Sequence, residues 1–253
     1  MNIIAVDIGN SSIKIGLFRG LDLSVRKIET HPKKAISEYE AVINGLIKEK
    51  NIYNALLGVI ISSVVPAHTE AFFKACKTLI TREPLILTHK IMTGIAFDIK
   101  EPERLGTDRI AASVGACELF EAPVAVVDFG TATTVNFIGE NNVYKGGAIV
   151  PGVRLMKDAL SGETAQLPDI DISIPIAPLG KDTTENILSG IIYGTAGAVE
   201  RIIVDTERAE TTIFKVVVTG GYSELFIPLL RRVDHIEPYL VLKGLKFIYE
   251  RNA

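Results

Sequence analysis

The sequence predicts an α/β protein built as two similar halves, and three observations carry that prediction. An apolar run, an acid, a glycine and a polar turn occur together in residues 3–18 (IIAVDIGNSSIKIGLF) and recur in residues 124–138 (VAVVDFGTATTVNFI). Such a repeat half a chain away marks duplicated structure. Around both copies, short apolar runs alternate with segments of helical periodicity, the pattern of a mixed sheet flanked by helices. With 253 residues, 47% hydrophobic and 23% charged, the chain has enough globular material for two small domains. The halves are set at residues 1–119 and 120–253, facing each other across a cleft.

The first hairpin opens with an apolar strand at residues 3–6 that ends at Asp7, and Ile13, Ile15 and Leu17 then alternate with Lys14 and Gly16 as the return strand. Gly9 supplies the conformational freedom of the turn, while Asn10, Ser11 and Ser12 line it with donors beside backbone N–H groups. A concave set of donors suits an anion. DxGNSS alone favours an ordinary hairpin turn; the second copy shifts the balance. Aligning Asp128 on Asp7 sets Phe129 on Ile8, Gly130 on Gly9, Thr131 on Asn10, Thr133 on Ser12 and Val135 on Lys14. Two carboxylates and two hydroxyl-lined turns converging on one cleft match a magnesium nucleotide, with oxygen ligands for the cation and donors for the phosphates.

Residues 21–30 extend the first sheet, residues 36–49 form a helix, residues 57–62 a buried strand ending in SSVVP, residues 69–81 its covering helix and residues 84–87 a further strand. The stretch EPERLGTDR (101–109) leads into a helix over residues 108–121 that Pro123 halts, with Thr107 as N-cap. Asp108 there is either a helix-start acid favoured by the dipole or a chemical group, and Arg109 either a surface charge or a ligand contact. After the second hairpin, residues 143–151 (VYKGGAIVP) make a strand whose glycine pair marks a close approach or a bulge. A short helix at 156–160 precedes a long Pro-rich and polar loop, residues 161–180, containing TAQLP. Asp182 and Glu185 form a capping box for a helix over 184–208, on which Gly190, Gly194 and Gly197 permit close packing within the fold or across a subunit contact. A strand at 215–219, a Gly220-Gly221 opening to a helix over 223–230 that offers a nucleotide a helix N-terminus, a strand at 239–242 and a closing helix at 243–251 complete the chain.

A formal net charge of -3 and a pI near 5.9 argue against a nucleic-acid surface. Cys76 and Cys117 are isolated, and His31, His68, His89 and His235 have no metal-ligand spacing. Met1 leads directly into the first strand and no apolar run is read as long enough to cross a bilayer, so a soluble cytoplasmic protein without a membrane partner is expected. GxxxxGK[ST], GxGxxG and GxSxG are all missing, which leaves phosphoryl transfer outside the P-loop class.

DIGNSSIK, LGTDR, DFGTATT, GGAIVPG, TAQLP, GKDT, TGG and LKGL follow one another along nearly the whole chain. In that order they resemble type III pantothenate kinase, of the superfamily that also holds hexokinase, actin and acetate kinase. The resemblance implies two similar ribonuclease H-like domains of the actin-like ATPase fold, with mixed sheets flanked by helices and a nucleotide cleft between them. It implies that Asp7, Ile8, Gly9, Asn10, Ser11, Ser12, Ile13 and Lys14 form the first phosphate loop and bind ATP, with Thr131 as a further ATP contact. Asp7 would also hold magnesium through water. Gly106, Thr107, Asp108 and Arg109 would bind pantothenate, Asp108 as the catalytic proton acceptor, and Thr183 would touch the same substrate. Asp128 would bind an activating potassium or ammonium ion, and the Gly-Gly of the second half would lie on the adenosine side. A homodimer whose partner closes the substrate pocket is implied as well. One departure stands out: several members carry a tyrosine shortly before the proline ahead of the catalytic acid, where this chain offers Ile99. The implied activity is ATP-dependent formation of 4′-phosphopantothenate, the first step of coenzyme A synthesis. The alternatives are a related kinase or phosphohydrolase with another small substrate, and a non-catalytic regulatory relative.

Overall fold

The computed structural model describes residues 2–50, 57–79, 82–163, 170–175 and 177–253. Its contacts divide the chain into two units, one formed by Met1–Leu119 with Leu240–Ala253, the other by Phe120–Tyr239.

In the first unit β1 (Asn2–Ile8), β2 (Ser12–Arg19) and β3 (Asp22–Glu29) form an antiparallel meander, followed by α1 (Ile36–Glu49), β4 (Leu57–Ser63), α2 (Pro66–Leu79) and the two-residue strand β5 (Leu85–Ile86). The sheet order is β3-β2-β1-β4-β5, with β4 parallel to β1 and β5 parallel to β4. Every residue from Ile3 to Ile8 is buried, as expected of a central strand covered on both faces. Ile4, Val6 and Ile8 pack with Tyr39, Ile43 and Leu46 of α1 and Phe72 and Cys76 of α2 in one apolar core. A further short strand, β6 (Ala96–Phe97), and a 3₁₀ turn at Pro102–Arg104 lead into α3 (Thr107–Phe120).

The second unit repeats this plan. Here β7 (Val124–Phe129), β8 (Ala132–Gly139) and β9 (Val143–Pro151) form the meander, α4 (Val153–Glu163) and α5 (Thr183–Glu210) follow, and β10 (Lys215–Thr219), the single turn α6 (Ser223–Phe226) and β11 (His235–Ile236) complete it. Its strands run β9-β8-β7-β10-β11, with β10 parallel to β7 and β11 parallel to β10, the same topology as in the first unit. A bulge falls beside the glycine pair, at Lys145-Gly146: Phe137 pairs with Gly146 and Ile138 with Tyr144, leaving Lys145 as the extra residue, and Gly146 has φ of +131° with nothing within 4 Å of where its β-carbon would be.

Two sequence expectations change here. Tyr239–Leu242 is not a strand, because α7 (Leu240–Asn252) begins there, and a short apolar run cannot by itself distinguish the two. This helix belongs to the first unit and not to the half in which the chain order places it, since it packs on β1, β4 and β2. It also crosses α3 at glycines. A β-carbon on Gly244 would lie 1.8 Å from the Ala111 carbonyl oxygen, and one on Gly115 would lie 2.6 Å from that of Leu240. The second change concerns α5, which is long and apolar enough to cross a membrane, contrary to the sequence expectation. Ile187, Leu188, Ile191, Ile192, Val199 and Ile203 are nonetheless spent on the core of the second unit.

Candidate functional site

The predicted site residues lie on equivalent corners of the two units. In the first, Asp7 is the penultimate residue of β1 with 8% of its surface exposed, and its Cα is paired with Lys14 on β2 and Ser62 on β4. Beyond it the chain turns through Gly9, whose N–H donates to the Ser12 carbonyl at 3.1 Å, leaving Asn10 and Ser11 exposed at the tip. Ile8 and Ile13, placed in the phosphate loop by resemblance, are fully buried side chains, so only their backbone is available to a ligand.

The start of α3 is tied to the same corner. The Thr107 hydroxyl lies 2.9 Å from the buried Ser62 hydroxyl, accepts the Ser63 N–H at 3.1 Å and has the Ser63 carbonyl at 3.2 Å. Thr107 is therefore not the N-cap but the first helical residue, its side chain committed to the end of β4. Gly106 takes the entry position, its carbonyl accepting the Ile110 N–H at 3.1 Å. Asp108 folds back over that entry. Its Oδ1 accepts the Arg109 N–H at 2.8 Å and lies 2.5 Å from where a β-carbon on residue 106 would sit, so a larger residue there would displace the Asp108 carboxylate. Burial pushes the Asp108 carboxyl above its ordinary value, outweighing the Arg109 N–H and charge, which act in the opposite direction. The helix dipole, which favours an acid at this position, is outweighed by desolvation.

In the second unit Asp128 occupies the place of Asp7, with its Cα paired with Thr134 on β8 and Thr219 on β10. Thr219 is buried, as is Ser62 at the matching position. The turn, however, is one residue shorter, because Phe129 pairs with Thr133 whereas Ile8 pairs with Ile13. Thr134 is thus the counterpart of Lys14, and Ala132 that of Ser12, in place of the Val135 and Thr133 of the ungapped alignment. Burial agrees, since Ile13 and Thr133 are both buried while Lys14 and Thr134 are both half-buried.

Gly220, at φ of +103°, presses on this turn: a β-carbon there would lie 2.5 Å from Asp128 Oδ1 and 2.5 Å from the Phe129 N. The Tyr222 N–H then donates to the Phe129 carbonyl at 3.0 Å. Gly220 and Gly221 therefore serve to bring the chain against Asp128, and the four residues of α6 are too short to offer the helix N-terminus expected from sequence. Thr131 is half-buried in the turn, and Thr183 is the exposed first residue of α5, where Asp182 Oδ1 caps the Glu185 N–H at 2.8 Å. The TAQLP motif, residues 164–168, lies outside the described residues.

Among the described residues no group of three or more His, Cys, Asp or Glu side chains converges to hold a metal. The fit is to ions that take one carboxylate and complete their shell with backbone, water or phosphate oxygen. Asp7 beside its donor turn meets that requirement for magnesium carried by a nucleotide. Asp128 is likewise a single carboxylate beside a turn, with the Gly220 backbone close against its Oδ1.

Ser62, Thr30 and Gly152 are the residues that sequence reasoning missed. Ser62 and Thr30 sit at strand ends, where a small hydroxyl residue carries no distinguishing pattern, and Gly152 follows a proline in a run already rich in glycine.

Comparison with known proteins places these features in context. Residues 3–205 match the family described as type III pantothenate kinase. Among solved structures, a conserved Campylobacter jejuni protein assigned to the Baf family of transcriptional activators aligns with a TM-score of 0.60 at 20% identity, covering 98% of each chain. The ROK hexokinase of Thermus thermophilus aligns at 0.55 with 11% identity, again over 98% of both chains. The ethanolamine utilization protein EutJ of Carboxydothermus hydrogenoformans aligns at 0.55 with 15% identity over 98% of this chain and 90% of its own. At these identities the likeness is one of fold, that of the actin-like ATPases.

Proposed function

Because the chain belongs to the type III pantothenate kinase family, we propose that it transfers the γ-phosphoryl group of magnesium ATP to the terminal hydroxyl of pantothenate, giving 4′-phosphopantothenate and ADP. The observation that carries this reading is the setting of Asp108: a desolvated carboxylate, folded over a glycine entry, on a helix whose first residue is bonded to the strand end beside Asp7.

Asp7 and the backbone of residues 8–14 receive the phosphates on the first turn, and Thr131 contributes on the second. Asp7 holds magnesium through water, and Asp128 holds potassium or ammonium; these ions supply positive charge where negative charge collects on the phosphates. Gly106, Thr107 and Arg109 bind pantothenate, with Arg109 available for a bidentate bond to its carboxylate, and Thr183 adds a contact. Asp108 accepts a hydrogen bond from the substrate hydroxyl and so orients its oxygen toward the γ-phosphorus. Phosphoryl transfer passes through a loose transition state, so the proton leaves late and orientation contributes most of the rate. A carboxyl raised above its ordinary range is a better late acceptor, provided it stays ionised near neutrality. The protein acts as a homodimer in this reading, as the family implies.

The test is ADP release with and without pantothenate, followed by detection of phosphopantothenate. Release that requires pantothenate supports the assignment. ADP release unaffected by pantothenate points to another acceptor or to phosphohydrolase chemistry. Nucleotide binding without any turnover would favour the regulatory alternative, which the Baf description of one structural relative brings forward.

A further inference from the structure

The two turns are held by their neighbouring strands in different ways. In the second unit Gly152, the residue after β9, donates its N–H to the Thr131 carbonyl at 3.2 Å. The contact is so close that a β-carbon at 152 would stand 2.3 Å from that oxygen and 2.5 Å from the Gly130 carbonyl. The equivalent residue in the first unit is Thr30, the residue after β3, because Glu29 pairs with Ser12 as Pro151 pairs with Ala132. Thr30 makes the matching backbone bond, its N–H donating to the Ser11 carbonyl at 3.3 Å. The first turn is one residue longer and stands off far enough to admit a side chain. The Thr30 hydroxyl fills that space and donates to the Gly9 carbonyl at 2.7 Å, with Thr30 wholly buried.

We propose that Thr30 is a positioning residue for nucleotide binding, acting through the backbone of the Asp7 turn. A trans peptide is planar and its C=O and N–H point in opposite directions. Fixing the Gly9 and Ser11 carbonyls toward Thr30 therefore directs the N–H groups of Asn10 and Ser12 away from it, as donors for phosphate oxygens. The backbone bond alone orients one of these peptides; the hydroxyl is what orients the other. Without it the Gly9–Asn10 peptide is free to rotate and must be ordered each time an anion binds. The inference rests on the proposed role of this turn in holding ATP phosphates, but not on the identity of the acceptor.

The experiment compares Thr30→Val, which keeps shape and burial while deleting the hydroxyl, with Thr30→Ser, which keeps the hydroxyl. Magnesium ATP and pantothenate are titrated separately by calorimetry, and the melting temperature and the KM for each substrate are recorded. Thr30→Val is expected to weaken ATP binding about tenfold, the loss of one preorganising hydrogen bond, and to leave pantothenate affinity within about twofold. Thr30→Ser should match the wild type. A role confined to general stability would lower the melting temperature and shift both substrates together. Wild-type ATP affinity in folded Thr30→Val overturns the inference; should that variant not fold, weakened ATP binding by folded Thr30→Ser overturns it equally. A wild-type protein that binds ATP but leaves pantothenate unphosphorylated removes the proposed substrate and leaves this test intact.

Discussion

At the scale of single residues, the two aspartates of most interest differ in what surrounds them. Asp108 is held above the ordinary carboxylate range by burial, so folding favours its protonated form. Below the unfolded pKa the group is protonated in both states and costs nothing; as the pH rises through the folded value, keeping it ionised in the fold becomes a destabilising load. Asp108→Asn is therefore expected to melt higher than the wild type at pH 7, with the gain vanishing on acidification below the ordinary Asp range. The same variant should lower kcat by about 10²- to 10⁴-fold with ATP affinity kept. A variant that loses activity without that pH-dependent gain would mean that the carboxylate is not desolvated as described. Arg109→Ala should instead raise the KM for pantothenate while largely sparing kcat, a split visible in steady-state kinetics. Asp128, in its proposed role as a ligand of a monovalent cation, predicts faster turnover in potassium or ammonium than in sodium at equal ionic strength. Asp128→Asn should erase the difference, and equal rates in all three salts for the wild type would dismiss the cation site.

At the scale of elements, the crossing of α3 and α7 sets where Asp108 stands. Gly244 and Gly115 bring the two backbones together with no room for a methyl group, so Gly244→Ala must push α7 away from α3 or from β1. The expected cost is about 1–3 kcal/mol, read as a lower urea midpoint, with kcat falling because the start of α3 moves with the rest of that helix. An unchanged midpoint would show that the crossing relaxes without strain. This contact also marks the limit of what the sequence discloses. The duplicated strand, acid, glycine and turn were legible because one strand period and one special residue type coincide twice. The helix over residues 36–49 was legible from periodicity, and the one read over 108–121 from a proline stop falls at 107–120. The helical state of residues 240–242 was not, because the packing of Leu240 is defined by a partner more than a hundred residues away in sequence, Gly115. The one-residue gap between the turns escaped for a related reason: register is fixed by pairing across β7 and β8, which an ungapped alignment of side chains does not contain. Likewise Thr107 has the residue type of an N-cap, yet Ser62 and Ser63 compete for its hydroxyl from a distant strand.

At the scale of the whole molecule, α5 poses a question that one chain does not answer. Its buried face, Ile187, Leu188, Ile191, Ile192, Thr195, Ala196, Val199 and Ile203, is committed to the core of the second unit. Gly190, Gly194 and Gly197 lie elsewhere on the helix, exposed, and a β-carbon on any of the three would meet nothing within 4 Å. Of the two uses the sequence allows, packing within the fold finds no partner among the described residues. Glycine in a helix interior costs about 1 kcal/mol relative to alanine, and three such positions on one exposed stripe meet no compensating contact among the described residues. A second helix laid against the stripe would supply it, because small residues allow backbones to approach closely, and the dimer of the proposed function provides such a neighbour. The wild-type protein should then have the mass of a dimer by light scattering at micromolar concentration, and Gly194→Leu should shift it toward the monomer while leaving the helical signal in circular dichroism unchanged. If the stripe instead faces water in the working protein, Gly194→Ala will simply raise the melting temperature, by the helix propensity of alanine, and Gly194→Leu will leave the mass as it was; that pair of results would remove α5 from the dimer contact.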